Sequence, residues 1–170
     1  MASSGKTFIV EHLDPELGRW SELEYQAIAN ETRDSRGTFI LSSLPPAFNV
    51  PAGLSANGAF RAETRGVEEL YAADKSRVCL LDPAAAQDLA PHDGDDFDVF
   101  LFGGILGDDP PRVPLDQVPY VDYPELKFNE HESTEMPFRY VRDEDGKPIM
   151  PPGMVELIQK DADKAVDDFL

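Results

Sequence analysis

Four short apolar runs decide what this chain can become: Thr7-Phe8-Ile9-Val10-Glu11, Thr38-Phe39-Ile40-Leu41-Ser42-Ser43, Arg77-Val78-Cys79-Leu80-Leu81 and Phe97-Asp98-Val99-Phe100-Leu101-Phe102. Each has the length of a strand, and continuous apolar runs of this kind suit strands buried in a parallel sheet. Between the first two, Asp14-Pro15 offers a helix N-cap with proline at the first helical position. Leu17, Trp20, Leu23, Ala27 and Ile28 then fall mostly at three- and four-residue steps, so a helix with one apolar stripe is expected, with Trp20 in the core. Strand, helix and strand in alternation predict an α/β fold, a mostly parallel sheet flanked by helices. Pro45-Pro46 ends the second strand.

The rest of the chain is less regular. Residues 47–74 carry Pro51, Gly53, Gly58 and Gly66 among scattered apolar positions, which predicts a loop or insertion followed by a short helix at Val67 to Leu70. An Ala-rich turn of helix is expected at Ala84 to Ala90, between the last two strands. Val118 to Asp122 reads as a further short strand, and Phe138 to Val141 with Pro148 to Met150 as a hairpin across Asp145-Gly146. Met154, Leu157, Ile158, Ala162, Ala165 and Phe169 keep a helical step to the C-terminus, the pattern of a packing helix.

Composition narrows the partners. With 170 residues the chain suits a single domain, residues 1–170. Fifteen Lys and Arg against 33 Asp and Glu give a formal charge of −18, which repels polyanions and leaves no basic cluster for direct nucleic-acid contact. A basic protein is the better fit. Cys79, the single cysteine, sits in an apolar run and is expected to be a buried structural thiol. His12, His92 and His131 are far apart and have no cysteine neighbours at ligand spacing, so no metal is expected. Lys6 is followed by only Phe8-Ile9-Val10 before Glu11, too short for a signal-peptide core, and no apolar run could span a bilayer. A soluble, cytoplasmic protein without membrane contact follows as the expectation.

Three stretches could carry chemistry. Phe102-Gly103-Gly104-Ile105-Leu106-Gly107-Asp108-Asp109-Pro110-Pro111 is a glycine-rich loop leaving the C-terminal end of a strand, the edge where open α/β sheets bind ligands. No Gly-Lys-Ser/Thr follows, and Asp108-Asp109 would repel a pyrophosphate yet tolerate a cationic sulfonium or guanidinium. A plain β-turn is the alternative. Leu81-Asp82-Pro83 leaves the preceding strand, so the two loops could wall one pocket from the same edge. The third stretch, Phe128 to Tyr140, mixes Glu130, Glu132 and Glu135 with aromatic residues. Carboxylates match the bidentate fork of a guanidinium, although the segment also reads as a solvated acidic loop.

With these residues in view, the chain is similar to the fungal SPOUT-type protein arginine N-methyltransferase family. The resemblance runs through Ile9-Val10-Glu11-His12, Ile40 to Pro45, Val78 to Pro83, Phe102 to Pro111, Asp122-Tyr123-Pro124-Glu125, Thr134 to Tyr140 and Gly146-Lys147-Pro148-Ile149, in the family's order. It implies a trefoil-knotted SPOUT domain, S-adenosylmethionine as cofactor, and methyl transfer to an arginine of a basic small-subunit ribosomal protein. It also implies that Leu81, Asp82, Pro83, Gly103, Gly104, Ile105, Leu106 and Gly107 hold the cofactor, with Glu132, Glu135 and Asp108 as candidates to orient the guanidinium and take its proton.

One part of the family pattern is missing. Relatives carry a Leu-Gly turn, a Gln-Met-Thr-Thr-Asp-Thr run and a helix where this chain passes directly from Arg112 to Val113-Pro114-Leu115. A parallel crossover needs about a dozen residues or more, usually helical. Asp108 to Gln117, with Pro110, Pro111 and Pro114, cannot supply one. An incomplete knot is therefore expected, with residues 108–118 irregular and apolar strand surface near Phe97 to Phe102 uncovered beside an unpaired edge. A monomer follows, since SPOUT proteins often pair through the missing region, and so does a second reading: a non-catalytic acidic module that binds a basic ribosomal protein.

Overall fold

The computed structural model describes residues 5–82, 85–103, 120–128, 133–136 and 139–167, and the chain divides into two compact units, Met1–Ile105 and Leu106–Leu170. In the first unit β1 (Thr7–Glu11), β2 (Thr38–Ser42), β3 (Phe60–Ala62), β4 (Val78–Leu81) and β5 (Val99–Gly103) form one all-parallel sheet in the order β3-β2-β1-β5-β4. This is the mostly parallel sheet flanked by helices that the apolar runs predict. Helix α1 (Arg19–Asp34) carries β1 over to β2, and the short helices α2 (Ala52–Ser55), α3 (Val67–Leu70) and α4 (Asp93–Asp96) sit in the later connections.

Both sheet faces are covered, by different elements. Val10, Phe39 and Leu41 pack with Tyr25 and Ala29 of α1 and with Leu44 and Leu54. Ile9 and Val99 of the opposite face pack with Val67 of α3, with Ile40, Tyr71, Val78 and Leu101 partly buried around them. Complete burial of a side chain such as Phe39 contributes about 1.5–3 kcal/mol. The cover thins toward the β4 edge, where Leu80 is 58% and Phe102 39% exposed. The uncovered surface expected over Phe97 to Phe102 is confined to Phe102, because Val99 and Phe100 are buried and β5 is paired on both sides, by β1 and β4.

Several local expectations need correction. Helix α1 begins at Arg19 behind Gly18, not at Asp14-Pro15. The residues between are drawn into the β1–α1 loop, where His12 is buried and its Nε2 lies 3.2 Å from the Glu16 carbonyl. The buried face of α1 is Tyr25, Ala29 and Thr32, while Trp20 is only half-buried. Tyr25 packs against the Phe39 ring, and this contact rotates the helix away from the stripe read off Trp20 and Leu23.

Strand β3 and helix α2 lie in the stretch expected to be loop, and α3 falls where predicted. Residues 85–90 are not helical; the turn forms at α4 instead, where the Asp93 carboxylate accepts the Ala90 amide at 2.7 Å. Cys79 is half-buried, not buried, because β4 is an edge strand. Gly37 is obligatory in the α1–β2 turn, since a side chain there would meet the Lys6 carbonyl at 2.6 Å.

The second unit holds β6 (Tyr120–Asp122), β7 (Glu125–Lys127), β8 (Ser133–Glu135), β9 (Arg139–Val141) and α5 (Met154–Asp167). β6 pairs with β9 and β7 with β8, both antiparallel. The hairpin across Asp145-Gly146 is present: Ile149 donates to the Val141 carbonyl at 2.8 Å, and Gly146 takes φ +81°. Met154, Leu157 and Ile158 of α5 are buried, on the stripe read from the sequence. No helix among the described residues is long and apolar enough to cross a membrane. The expected irregularity of 108–118 and the expected incomplete knot lie outside the described residues.

Candidate functional site

The site is built from the ends of parallel strands. β4 and β5 are neighbours in register, with Leu81 beside Phe102, so the Leu81-Asp82 and Gly103 loops leave the sheet side by side at its C-terminal edge. One residue further on, the next row runs inward, for Gly103 is the register partner of Glu11, and Glu11 of Ser42. Register partners in a parallel sheet point to one face, with adjacent strands about 4.8 Å apart. Glu11 and Gly103 therefore stand next to each other on the face of Ile9, at the C-terminal strand ends beyond which open α/β sheets take ligands. Among the described residues nothing lies within 4 Å of the place a side chain on Gly103 would occupy, so none of them blocks approach to the backbone there.

The edge is rigidly held around Glu11. Ser43 donates its hydroxyl to Glu11 Oε1 at 3.1 Å, and the Val67 amide donates to the same oxygen at 3.2 Å. Ser43 adopts φ +61°, a conformation that costs a non-glycine residue energy and that its surroundings must enforce. Its amide donates to the Arg65 carbonyl at 3.1 Å, and the Leu44 amide to that of Glu63 at 3.1 Å. Beside them the Glu63 carboxyl is held down to about 2, first by the hydrogen bond from the Arg65 guanidinium and then by the Arg65 amide.

His12, next along β1, turns to the other side. Its Nδ1 lies 3.1 Å from the Tyr25 hydroxyl and its ring packs edge-on against Phe48. Burial, with Glu24 and Asp14 nearby, pushes the Tyr25 phenol up to about 12. An open cleft of about 620 Å³ lies beyond, lined by Pro15, Glu16, Leu17, Glu22, Pro45 and Phe48 among others; it holds none of the residues expected to bind a cofactor.

Of those expected residues, the structure brings Leu81, Asp82 and Gly103 together. Pro83, Gly104, Ile105, Leu106, Gly107, Asp108 and Glu132 lie outside the described residues. Glu135 is exposed on β8 in the second unit, register partner of Glu125. Ser133 donates to the Glu125 carboxylate at 2.6 Å and holds its carboxyl below the usual range, with Lys127 adding to the effect. Glu11, Ser43 and the Val67 amide were not singled out by sequence. The available signals were that Glu11 and Ser43 follow apolar runs at their C-terminal ends and stand in two of the stretches that carry the resemblance. Ligand-type atoms of His92, Asp93 and Asp96 lie within 4.8 Å of one another, but Asp93 is occupied in capping its own turn.

Comparison with known proteins converges on one family. Residues 7–113 and 112–165 match the family described as SFM1-like protein arginine N-methyltransferase. The protein arginine N-methyltransferase SFM1 of Saccharomyces cerevisiae is 36% identical over 212 aligned positions, covering 96% of this chain and 99% of the yeast protein. The crystal structure of the yeast enzyme complexed with SAM superposes with a TM-score of 0.75 at 35% identity, covering 92% of this chain and 91% of that one. The complex with SAH gives 0.74 at 35% identity, covering 89% and 94%. The two family matches meet at residues 112–113. An aligned span of 212 positions also exceeds the 170 residues present, so an internal stretch of the yeast protein has no counterpart here.

Proposed function

We propose, from the premise that this chain belongs to the SFM1-like protein arginine N-methyltransferase family, that its chemistry is S-adenosylmethionine-dependent methylation of an arginine in a basic small-subunit ribosomal protein. The observation that carries the reading is the parallel register of β4 and β5, which sets Leu81-Asp82 and Gly103 side by side at the ligand edge of a sheet whose relatives were solved with SAM and SAH.

The residues present suit such a cofactor. None of the described residues crowds Gly103, which permits close approach, half-exposed Phe102 and Leu81 offer apolar surface to an aromatic base, and Asp82 adds negative charge at the same edge. Pro83, Gly104, Ile105, Leu106 and Gly107 complete the proposed cofactor loops. When bound, the cofactor supplies an electrophilic methyl group. The protein's share is to align the guanidinium nitrogen, exclude water and accept the proton that the nitrogen loses. Glu132, Glu135 and Asp108 are the proposed carboxylates for that work.

The −18 charge supports a basic protein as partner and opposes nucleic acid as the direct one. A cytoplasmic monomer acting as one domain is part of the same proposal. The test is transfer of labelled methyl from S-adenosylmethionine to isolated small-subunit ribosomal proteins. Label on one arginine-containing protein supports the reading, and label on RNA alone refutes it.

A second reading is favoured by the junction at residues 112–113. With one wall of the pocket absent, the chain would keep the acidic surface and bind the ribosomal protein without methylating it. Stable binding with no transfer, under conditions where a complete relative methylates, selects this second reading.

A further inference from the structure

Glu11 is the only carboxylate on the described edge row whose grip is visible atom by atom, and it is fixed from one side. Oε1 takes two donors, the Ser43 hydroxyl at 3.1 Å and the Val67 amide at 3.2 Å. Among the described residues Oε2 receives no donor, and Glu11 itself is only half-buried. A carboxylate with one oxygen anchored has little rotamer freedom left to lose, so its second oxygen is a preorganised acceptor.

Its place gives that acceptor a direction. Glu11 is the register partner of Gly103, on the same face, and none of the described residues fills the space over Gly103. The strained φ of +61° at Ser43 keeps the anchoring hydroxyl in position, and the Val67 amide ties the start of α3 to the same oxygen. A purely structural tie needs an acceptor here, but not a negative charge. Ser43 and the Val67 amide would be satisfied equally by a glutamine oxygen.

We propose that Glu11 is a carboxylate that holds the guanidinium of the target arginine over Gly103. This rests on the methyltransferase reading for the identity of the substrate, and on the geometry for the residue. Oε2 alone receives the guanidinium: two of its weakly hydrated N–H donors can share one oxygen, whereas a compact ammonium is more strongly held by water, so the slot favours arginine over lysine at equal charge.

The test uses the full chain and two short basic peptides identical except for one arginine or lysine, titrated calorimetrically without cofactor. The natural chain is expected to prefer the arginine peptide by about tenfold, and Glu11→Gln to abolish the preference while leaving the melting temperature unchanged. An equal preference in Glu11→Gln, or none in the natural chain, overturns the proposal. If Glu11→Gln fails to fold, the amide resonances of Val67 and Gly103 in the natural protein decide. Selective shifts with the arginine peptide support the slot, and unmoved resonances refute it. S-adenosylmethionine is titrated separately, because its failure to bind would count against the cofactor chemistry and not against the peptide preference.

Discussion

His12 Nδ1 lies 3.1 Å from the hydroxyl of Tyr25, joining the residue after β1 to the buried face of α1. The other ring nitrogen, Nε2, faces the Glu16 carbonyl at 3.2 Å, and a carbonyl can only accept. In the neutral ring Nε2 therefore carries the proton and Nδ1 accepts from Tyr25. Both nitrogens of the histidine in the Glu11-His12 pair are thus engaged in structure, which leaves Glu11 facing the ligand edge.

Tyr25→Phe removes the donor to a buried acceptor while keeping the ring against Phe39. The expected loss of stability is about 1–3 kcal/mol, measured by urea unfolding with an unchanged m-value.

Phe39 is fully buried and packs against the rings of Tyr25 and Phe60. Phe39→Ala is expected to cost about 3–5 kcal/mol, because neighbours on β3 and α1 cannot close the cavity. Denaturant unfolding measures it, and a cost below about 1 kcal/mol would mean the core is not packed as described.

Leu80, 58% exposed on the edge strand β4, is an association hazard more than a source of stability. Leu80→Lys is expected to reduce aggregation in light scattering while moving the melting temperature by no more than about 2 °C.

Acid should at first stabilise this protein. Burial pushes the Glu24 carboxyl up, so the folded state holds that proton more readily than the unfolded chain, and stability rises as pH falls toward its pKa. Relief of the −18 charge acts in the same direction. Asp98, held down chiefly by the Arg77 guanidinium, and Glu63 do the opposite: their contributions are present above the ordinary carboxylate range and fade as pH falls through the lowered values. For Glu63 that window runs from 4.5 down to about 2. Asp98 is exposed and Glu63 is half-buried beside an exposed Arg65, so screening keeps their share small. Thermal melts are expected to show a shallow maximum near about pH 5 and a decline below about pH 4.

The sequence made the sheet legible because its strands are continuous apolar runs closed by turn residues, and their alternation with helix leaves little choice of topology. It was less informative where tertiary contacts overrode local pattern. Asp14-Pro15 looks like a helix start, but His12 holds the Glu16 carbonyl and delays α1 to Arg19. Phe60-Arg61-Ala62 is too short and mixed to read as a strand, and it exists through pairing with Phe39 to Leu41. At the site, the adjacency of Leu81 and Phe102 followed from two consecutive strands, whereas Glu11 became visible only through the register that sets it beside Gly103.

The most direct test is calorimetric titration of this chain with S-adenosylmethionine, beside the same chain carrying a family-type segment between Arg112 and Val113. Binding by the extended protein, with the natural chain at least about tenfold weaker, is the predicted result: a family methyltransferase whose cofactor pocket lacks one wall. Binding by neither protein would contradict the assignment of Leu81-Asp82 and Gly103 to the cofactor.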